Sequence, residues 1–247
     1  LLKVIFMTNV VLLTKENHKD LKLKKDKNAH LAFGVSVCAT FPVEFRNIQT
    51  HYPIFFQKNP ENEKFTPVAL LGLEPSENLF VSEAGWDCSY IPLALDVQPF
   101  IIGRANEDNE SDGRVFVDLD SPLIADESDT DGVRIFDEMG MESEFLQNTV
   151  KNMEMLHFGF ETCKGYVEWL VKYDLLEPFV LDVALDDQSL NRLTGFQTIN
   201  EDRFKNLEDN LLLEMRGKGY LMPTYMALAS LASVTGLIER KNLKLGK

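Results

Sequence analysis

Residues 143–172 read SEFLQNTVKNMEMLHFGFETCKGYVEWLVK, and they decide the fold class. Leu146, Val150, Met153, Leu156, Phe160, Cys163, Val167 and Leu170 recur at spacings of three and four. That places them on one face of a long helix. Ser143 stands just ahead of the stripe, where a hydroxyl accepts from the free N–H groups of a first turn. Gly159 and Gly165 each weaken such a helix by about 1 kcal/mol relative to alanine, so packing must supply the difference.

On the N-terminal side the period changes. Residues 53–58 and 66–73 are apolar runs separated by Asn59-Pro60-Glu61-Asn62-Glu63-Lys64, a hairpin signal. Residues 9–14, 79–81 and 114–118 read as further strands, the last by its alternation of apolar and polar side chains. Residues 42–50 form a short helix with Phe41, Phe45 and Ile48 on one face, and residues 90–97 a second that ends before Pro99. On the C-terminal side the long helix stops before Glu177-Pro178. Residues 179–185 and 193–199 then make a hairpin around Asp186-Asp187-Gln188-Ser189. Asn200 caps a helix bearing Phe204, Leu207, Leu211 and Met215, which Gly217 and Gly219 end. A last helix covers residues 220–240, with Pro223 in its first turn. The expected fold is α+β: a β-rich lobe, residues 8–137, packed on a mainly helical lobe, residues 143–242, that carries one hairpin. Residues 1–6 precede Met7 and read as an alternative-start extension.

The chain has 247 residues, 45% of them hydrophobic, enough for a sizeable core. With 25 basic and 39 acidic side chains the net charge is −14. This argues against nucleic acid and against an anionic membrane surface as partner. The charge is uneven. Lys19, Lys22, Lys24, Lys25 and Lys27 lie together near the start, whereas residues 103–144 carry about eleven net negative charges. The lysine run is either a solvated strand edge or a docking patch for the acidic segment or for a partner. Cys38, Cys88 and Cys163 show no ligand or disulfide spacing and read as reduced thiols. The first residues lack a basic n-region and a cleavage site, so the expected location is the cytoplasm. Residues 220–238 contain no charge and are long enough to span a bilayer. Thr224, Ser230, Ser233 and Thr235 dilute that run and favour a core helix, with no stable membrane insertion.

Four groups of side chains are candidates for chemistry or binding. Tyr52, Phe55, Phe56, Trp86, Tyr90 and Phe100 gather in the N-terminal half, as the lining of a ligand pocket or as lobe core. Asp118 and Asp120 share one strand face, with Ser121 beside them. They suit an acid–base pair, or a strand end hydrogen-bonded into a turn. Glu127, Asp129 and Asp131, followed by Gly132 and Glu138, have the spacing of a calcium loop. Arg134 sits where that loop needs an apolar residue, and the competing reading is a solvated acidic loop. Cys88 is a conceivable nucleophile, but a buried thiol is inert. His18, His30, His51 and His157 have no ligand spacing, and there is no GxSxG, dinucleotide or phosphate-loop motif. No cofactor is expected.

Several phrases in fixed order resemble one family. They are HYPIFFQK (51–58), PVALLGL (67–73), ENLFV (77–81), Trp86-Asp87, Tyr90-Ile91-Pro92, Gln98-Pro99-Phe100, DLDSPL (118–123), LEP (176–178), LTGF (193–196) and GKGYL (217–221). Together they resemble the SapC family of bacterial proteins over about residues 10–240. The family is named for a protein encoded with a surface layer, and some members are encoded near outer-membrane uptake receptors. The resemblance implies an accessory role and supplies no catalytic residues. The leading expectation is a non-catalytic cytoplasmic accessory protein with a protein partner. Two rivals stand beside it: a small-molecule- or peptide-binding protein or enzyme joining the Trp86 aromatics to Asp118 and Asp120, and an exported surface-layer component.

Overall fold

The computed structural model describes residues 9–24, 34–82, 85–104, 113–126 and 129–246. In chain order its elements begin with β1 (Val10–Leu12), α1 (Lys15–His18), β2 (Lys22–Leu23), β3 (Val37–Ala39), α2 (Phe45–Ile48), β4 (Ile54–Lys58) and β5 (Phe65–Leu70). Next come β6 (Val81–Ser82), β7 (Gly85–Trp86), α3 (Leu93–Asp96), β8 (Phe100–Arg104), β9 (Gly113–Asp118) and β10 (Val133–Arg134). The chain continues with α4 (Glu144–Lys172), β11 (Leu176–Ala184) and β12 (Leu190–Ile199). It then closes with α5 (Glu201–Lys205), α6 (Asp209–Gly217), α7 (Leu221–Ser230) and α8 (Ser233–Leu245). The fold is α+β, as the change of period predicts.

The main sheet is antiparallel, in the order β11-β12-β4-β5-β3. Its centre comes from the expected hairpin β4–β5, in which Phe55 faces Val68 and Phe56 faces Pro67. The β11–β12 hairpin also forms, and it joins the sheet of the N-terminal half by pairing Phe196 with Gln57 and Gln197 with Phe56. The sheet is therefore built from both halves of the chain. Phe55 packs on Phe179 and Phe196 on one face, at ring distances of 4.6 and 5.5 Å, and Phe56 lies 6.4 Å from Tyr166 of α4 on the other. Burial on both faces explains why β4 starts as an unbroken apolar run and not as an alternating one. A smaller sheet, β1-β9-β8, lies apart from it. β2 pairs with β10, and Leu23 bridges to Ile124. The described part of the lysine run is thus laid along the acidic segment of its own chain.

α4 runs 29 residues, about 43 Å at 1.5 Å per residue. Ser143 Oγ accepts from Leu146 N at its start, as expected. Leu146 and Met153 enter one core, with Leu23, Phe100, Val117 and Ile135. Cys163, Tyr166, Val167 and Leu170 enter the other, with Phe45, Tyr52 and β4. Phe160 departs from the expected stripe and is 61% exposed. Its place against the core is taken by Gly159, where a Cβ would lie 2.8 Å from Val43 Cγ2 and 3.0 Å from Phe41 Cβ. The helix needs glycine there because residues 41–43 pass so close.

Two expected helices are each divided. The stretch from Phe204 to Met215 becomes α5 and α6, because Asn206 leaves helical geometry and donates its side chain back to Asp202 O. The expected helix over 220–240 becomes α7 and α8. Leu231 N, Ala232 N and Val234 N each bond three residues back, which tightens the chain between the two helices. By length and composition alone, residues Leu221–Leu245 hold a window apolar enough to cross a membrane, and 39% of that window is buried inside the protein. Three of its hydroxyls are bonded to other elements. Ser230 Oγ accepts from Ile54 N at 2.8 Å, Ser233 Oγ donates to Gln49 O, and Thr224 meets the Tyr166 hydroxyl at 3.1 Å.

The glycines of α4 make a testable pair. Gly159→Ala gains helix propensity but overpacks against Val43 and Phe41, and is expected to cost about 1–2 kcal/mol net. At Gly165 a new Cβ would meet only the Tyr220 hydroxyl, the tip of a side chain, so Gly165→Ala should stay within about 1 kcal/mol of the parent. Urea midpoints decide this: a Gly159→Ala protein as stable as Gly165→Ala contradicts the close approach.

Candidate functional site

The structure brings Tyr52, Trp86 and Tyr90 together, as the sequence suggests, around the loop that leads into α3. Tyr52 is fully buried, and its hydroxyl donates to Tyr90 O at 2.5 Å and accepts from Trp86 Nε1 at 3.1 Å. Phe80 stacks on Trp86 at 6.2 Å and meets Tyr52 edge-on at 4.6 Å. Beneath them lies Glu44, a carboxylate 1% exposed that sequence reasoning missed. Glu44 Oε2 accepts from the Tyr90 hydroxyl at 2.9 Å and from Leu93 N at 3.0 Å, and Oε1 accepts from Thr40 Oγ1 at 2.8 Å. Burial raises the Glu44 pKa, and its hydrogen bonds only partly offset that. Burial also raises both tyrosine phenols and the Cys38 thiol, and pushes the Cys163 thiol up to about 12. The phenols and thiols keep their protons at neutral pH, and the hydrogen bonds linking Glu44, Tyr52, Trp86, Tyr90 and Leu93 brace the loop.

Asp118, Asp120 and Ser121 lie elsewhere, at the end of β9 in the smaller sheet. Asp118 is buried, and its Oδ1 accepts from Asn9 N and Asp120 N at 3.3 and 3.2 Å. Ser121 Oγ accepts from Leu123 N, and Asp120 Oδ1 accepts from Asn9 Nδ2. This is the turn-forming arrangement in which carboxylates cap backbone N–H groups. Asp118 follows Val117 of the second core, whereas Tyr52 belongs to the first and Trp86 and Tyr90 pack against it.

Of the calcium-loop candidates, Glu127 lies outside the described residues, as do His30, Lys25 and Lys27. Asp129 Oδ1 accepts from Asp131 N at 3.0 Å in a turn of its own. Lys22 Nζ donates to Asp129 O at 3.3 Å, so an ammonium sits against the loop. Arg134 pairs with Asp20 from within β10, and Glu138 lies on the exposed turn after Asp137. Among the described residues no three His, Cys, Asp or Glu side chains gather as a metal site. His51 Nε2 lies 2.9 Å from Ser89 Oγ at the surface, and Cys88 is half-buried.

One opening was not anticipated. A groove of about 610 Å³ runs between the second half of α4 and the start of β5. Phe41, Phe65, Pro67, Phe160, Val167 and Val171 form its apolar surface, while Lys64, Lys164, Glu168 and Lys172 stand at its rim. Phe41 and Phe160 meet edge-on at 6.0 Å. The available signal was the width of apolar spacing on α4: Phe160 and Val171 extend it past the face that the core covers.

A family model, SapC, matches residues 13–237. The chain belongs to the SapC family. The match takes in the buried residues of both cores, the groove and the start of α8, and leaves out β1 and the rest of α8. No curated protein and no solved structure matches the chain.

Glu44 gives this SapC protein a pH-dependent stability term. Its raised pKa means that the folded protein holds this proton more tightly than the unfolded chain does. The contribution is full below the unfolded value and is lost as pH rises through the folded one. Glu44→Gln keeps an acceptor for Tyr90 and Leu93 but carries no charge, so that loss should vanish from urea midpoints measured against pH. Glu44→Ala leaves three donors without an acceptor and should cost about 3 kcal/mol or more.

Proposed function

We propose that this SapC protein is a non-catalytic accessory protein of the cytoplasm that works by holding a protein partner, in service of surface-layer or outer-membrane uptake systems. The observation that carries the reading is the groove beside α4, with large apolar side chains left exposed at its wall. The contrast with the buried polar groups supports it. Glu44, Tyr52, Tyr90 and Asp118 are engaged with their own chain, which argues for bracing over turnover.

The occupant best suited to the groove is an amphipathic helix of the partner. β5 already has β4 on one side and β3 on the other over Val68–Leu70, and Thr40 N donates to Pro67 O. Among the described residues, β5 keeps an open edge only at 65–66, too short to template an added strand. A helix needs no backbone partners and asks only for side-chain contact. It would lie beside α4 on the same sheet face, about 8–10 Å away axis to axis. Glu161, Lys164, Glu168 and Lys172 line that side in alternating sign at three- and four-residue spacing, so the partner's flanks carry the opposite order.

Native mass spectrometry of the protein purified from its own host tests this. The parent should retain a protein partner. Phe160→Glu and Val171→Glu should each weaken retention about tenfold or more without changing the melting temperature, since both side chains are exposed. The same partner held equally by both variants overturns the groove. A constant small mass in place of a protein transfers the groove to the ligand-binding reading.

A further inference from the structure

α8 is held in two different ways along its length. Val234 and Leu237 anchor its first half in the main core. Beyond Ile238 the apolar residues Leu243 and Leu245 point to solvent, and the buried side chain is Lys241, 6% exposed. The second half is therefore fastened by polar contacts, and three consecutive residues reach three separate segments. Arg240 Nη1 donates to Asp87 Oδ2 at 2.7 Å and Nη2 to Asp87 O at 2.9 Å. Lys241 Nζ lies 2.8 Å from Glu77 Oε1 and 3.0 Å from Glu74 Oε1. Asn242 Oδ1 accepts from Asp186 N at 3.1 Å, in the turn of the β11–β12 hairpin. Successive residues point about 100° apart around a helix, so one turn serves all three directions.

The Arg240 guanidinium also lies over the Phe80 ring, 4.5 Å from its centre, while that ring stacks with Trp86. Two stacked aromatics with Glu74, Glu77 and Asp87 around them make a receptor for cations, through ring faces and charge-assisted hydrogen bonds. In this chain its own Arg240 and Lys241 fill it.

We propose that the end of α8 is an autoinhibitory latch seated in a site for a basic segment of a partner. Opening needs no loss of the apolar anchors at Val234 and Leu237. It breaks the Arg240–Asp87 pair, whose carboxylate is largely in water, and then withdraws Lys241 from Glu77. The site shares no lining residue with the groove beside α4, so the two proposals stand or fall separately.

The test uses the full chain, its Arg240→Ala variant and a fluorescent peptide copying residues 236–246. Arg240→Ala touches a partly exposed contact and is expected to fold. In hydrogen exchange, residues 74–80, 86–90 and 185–189 should speed up together with 240–245, by about tenfold, with β4 and β5 unchanged. High salt should move the parent toward the same pattern. The peptide should bind the variant at least about tenfold more tightly than the parent, in which the latch competes. Faster exchange confined to α8, or spread evenly through the sheet, overturns the latch. An opened chain that ignores the peptide overturns the site.

Discussion

The close contact of α4 with residues 41–43 is the constraint on which the other placements depend. A helix of this length reaches both cores only if it lies flat along the protein, and at its middle it must pass the Phe41–Val43 segment almost backbone to side chain. Gly159 permits this. From that crossing, the N-terminal half is committed to the small sheet and the C-terminal half to the large one. The same crossing turns Phe160 outward. The groove is thus a by-product of how the helix is seated: the wall of the groove is the face of α4 that the close approach leaves uncovered.

The buried polar groups follow a second rule. Glu44, Asp118 and Lys241 lie inside, yet each has its partners supplied by a different stretch of chain. Satisfied in this way, a buried charge fixes geometry more than it adds stability. Glu44 sets the loop before α3, Asp118 sets the end of β9, and Lys241 ties the last helix to the turn at Glu74–Glu77. The loops of this protein are thereby held by specific ionic and hydrogen-bonded contacts, where a plain apolar core would leave their positions loosely defined.

Much of this architecture was legible in the sequence, because it rests on local signals. Ser143 and the apolar spacing define α4, and the polar loop at 59–64 defines the β4–β5 hairpin. Asn200 caps α5 through Arg203 N. What was not legible depends on contacts across the chain. Nothing near Phe196 says that it pairs beside Gln57, and nothing near Glu44 says that it will be enclosed by Thr40, Tyr90 and Leu93. The divisions at Asn206 and Leu231 arise from backbone tightening inside otherwise helical patterns. Among the candidate residues, Tyr52, Trp86 and Tyr90 lie together, whereas Phe100 and Asp118 are separated from them by the packing of a second sheet. Phe160 was assigned to the core because spacing identifies a face and not its neighbour.

The order of the main sheet has a consequence for how the protein is made. β4 forms its hairpin with β5 almost at once, but its other neighbour, β12, is encoded about 140 residues later. At roughly 5–20 residues per second, the ribosome needs about 7–30 s to deliver that strand. Throughout that interval Phe55 lacks both Phe179 and Phe196, and one edge of β4 has no ladder. A nascent chain of this design leaves an aromatic hairpin edge unpaired until β12 has been made.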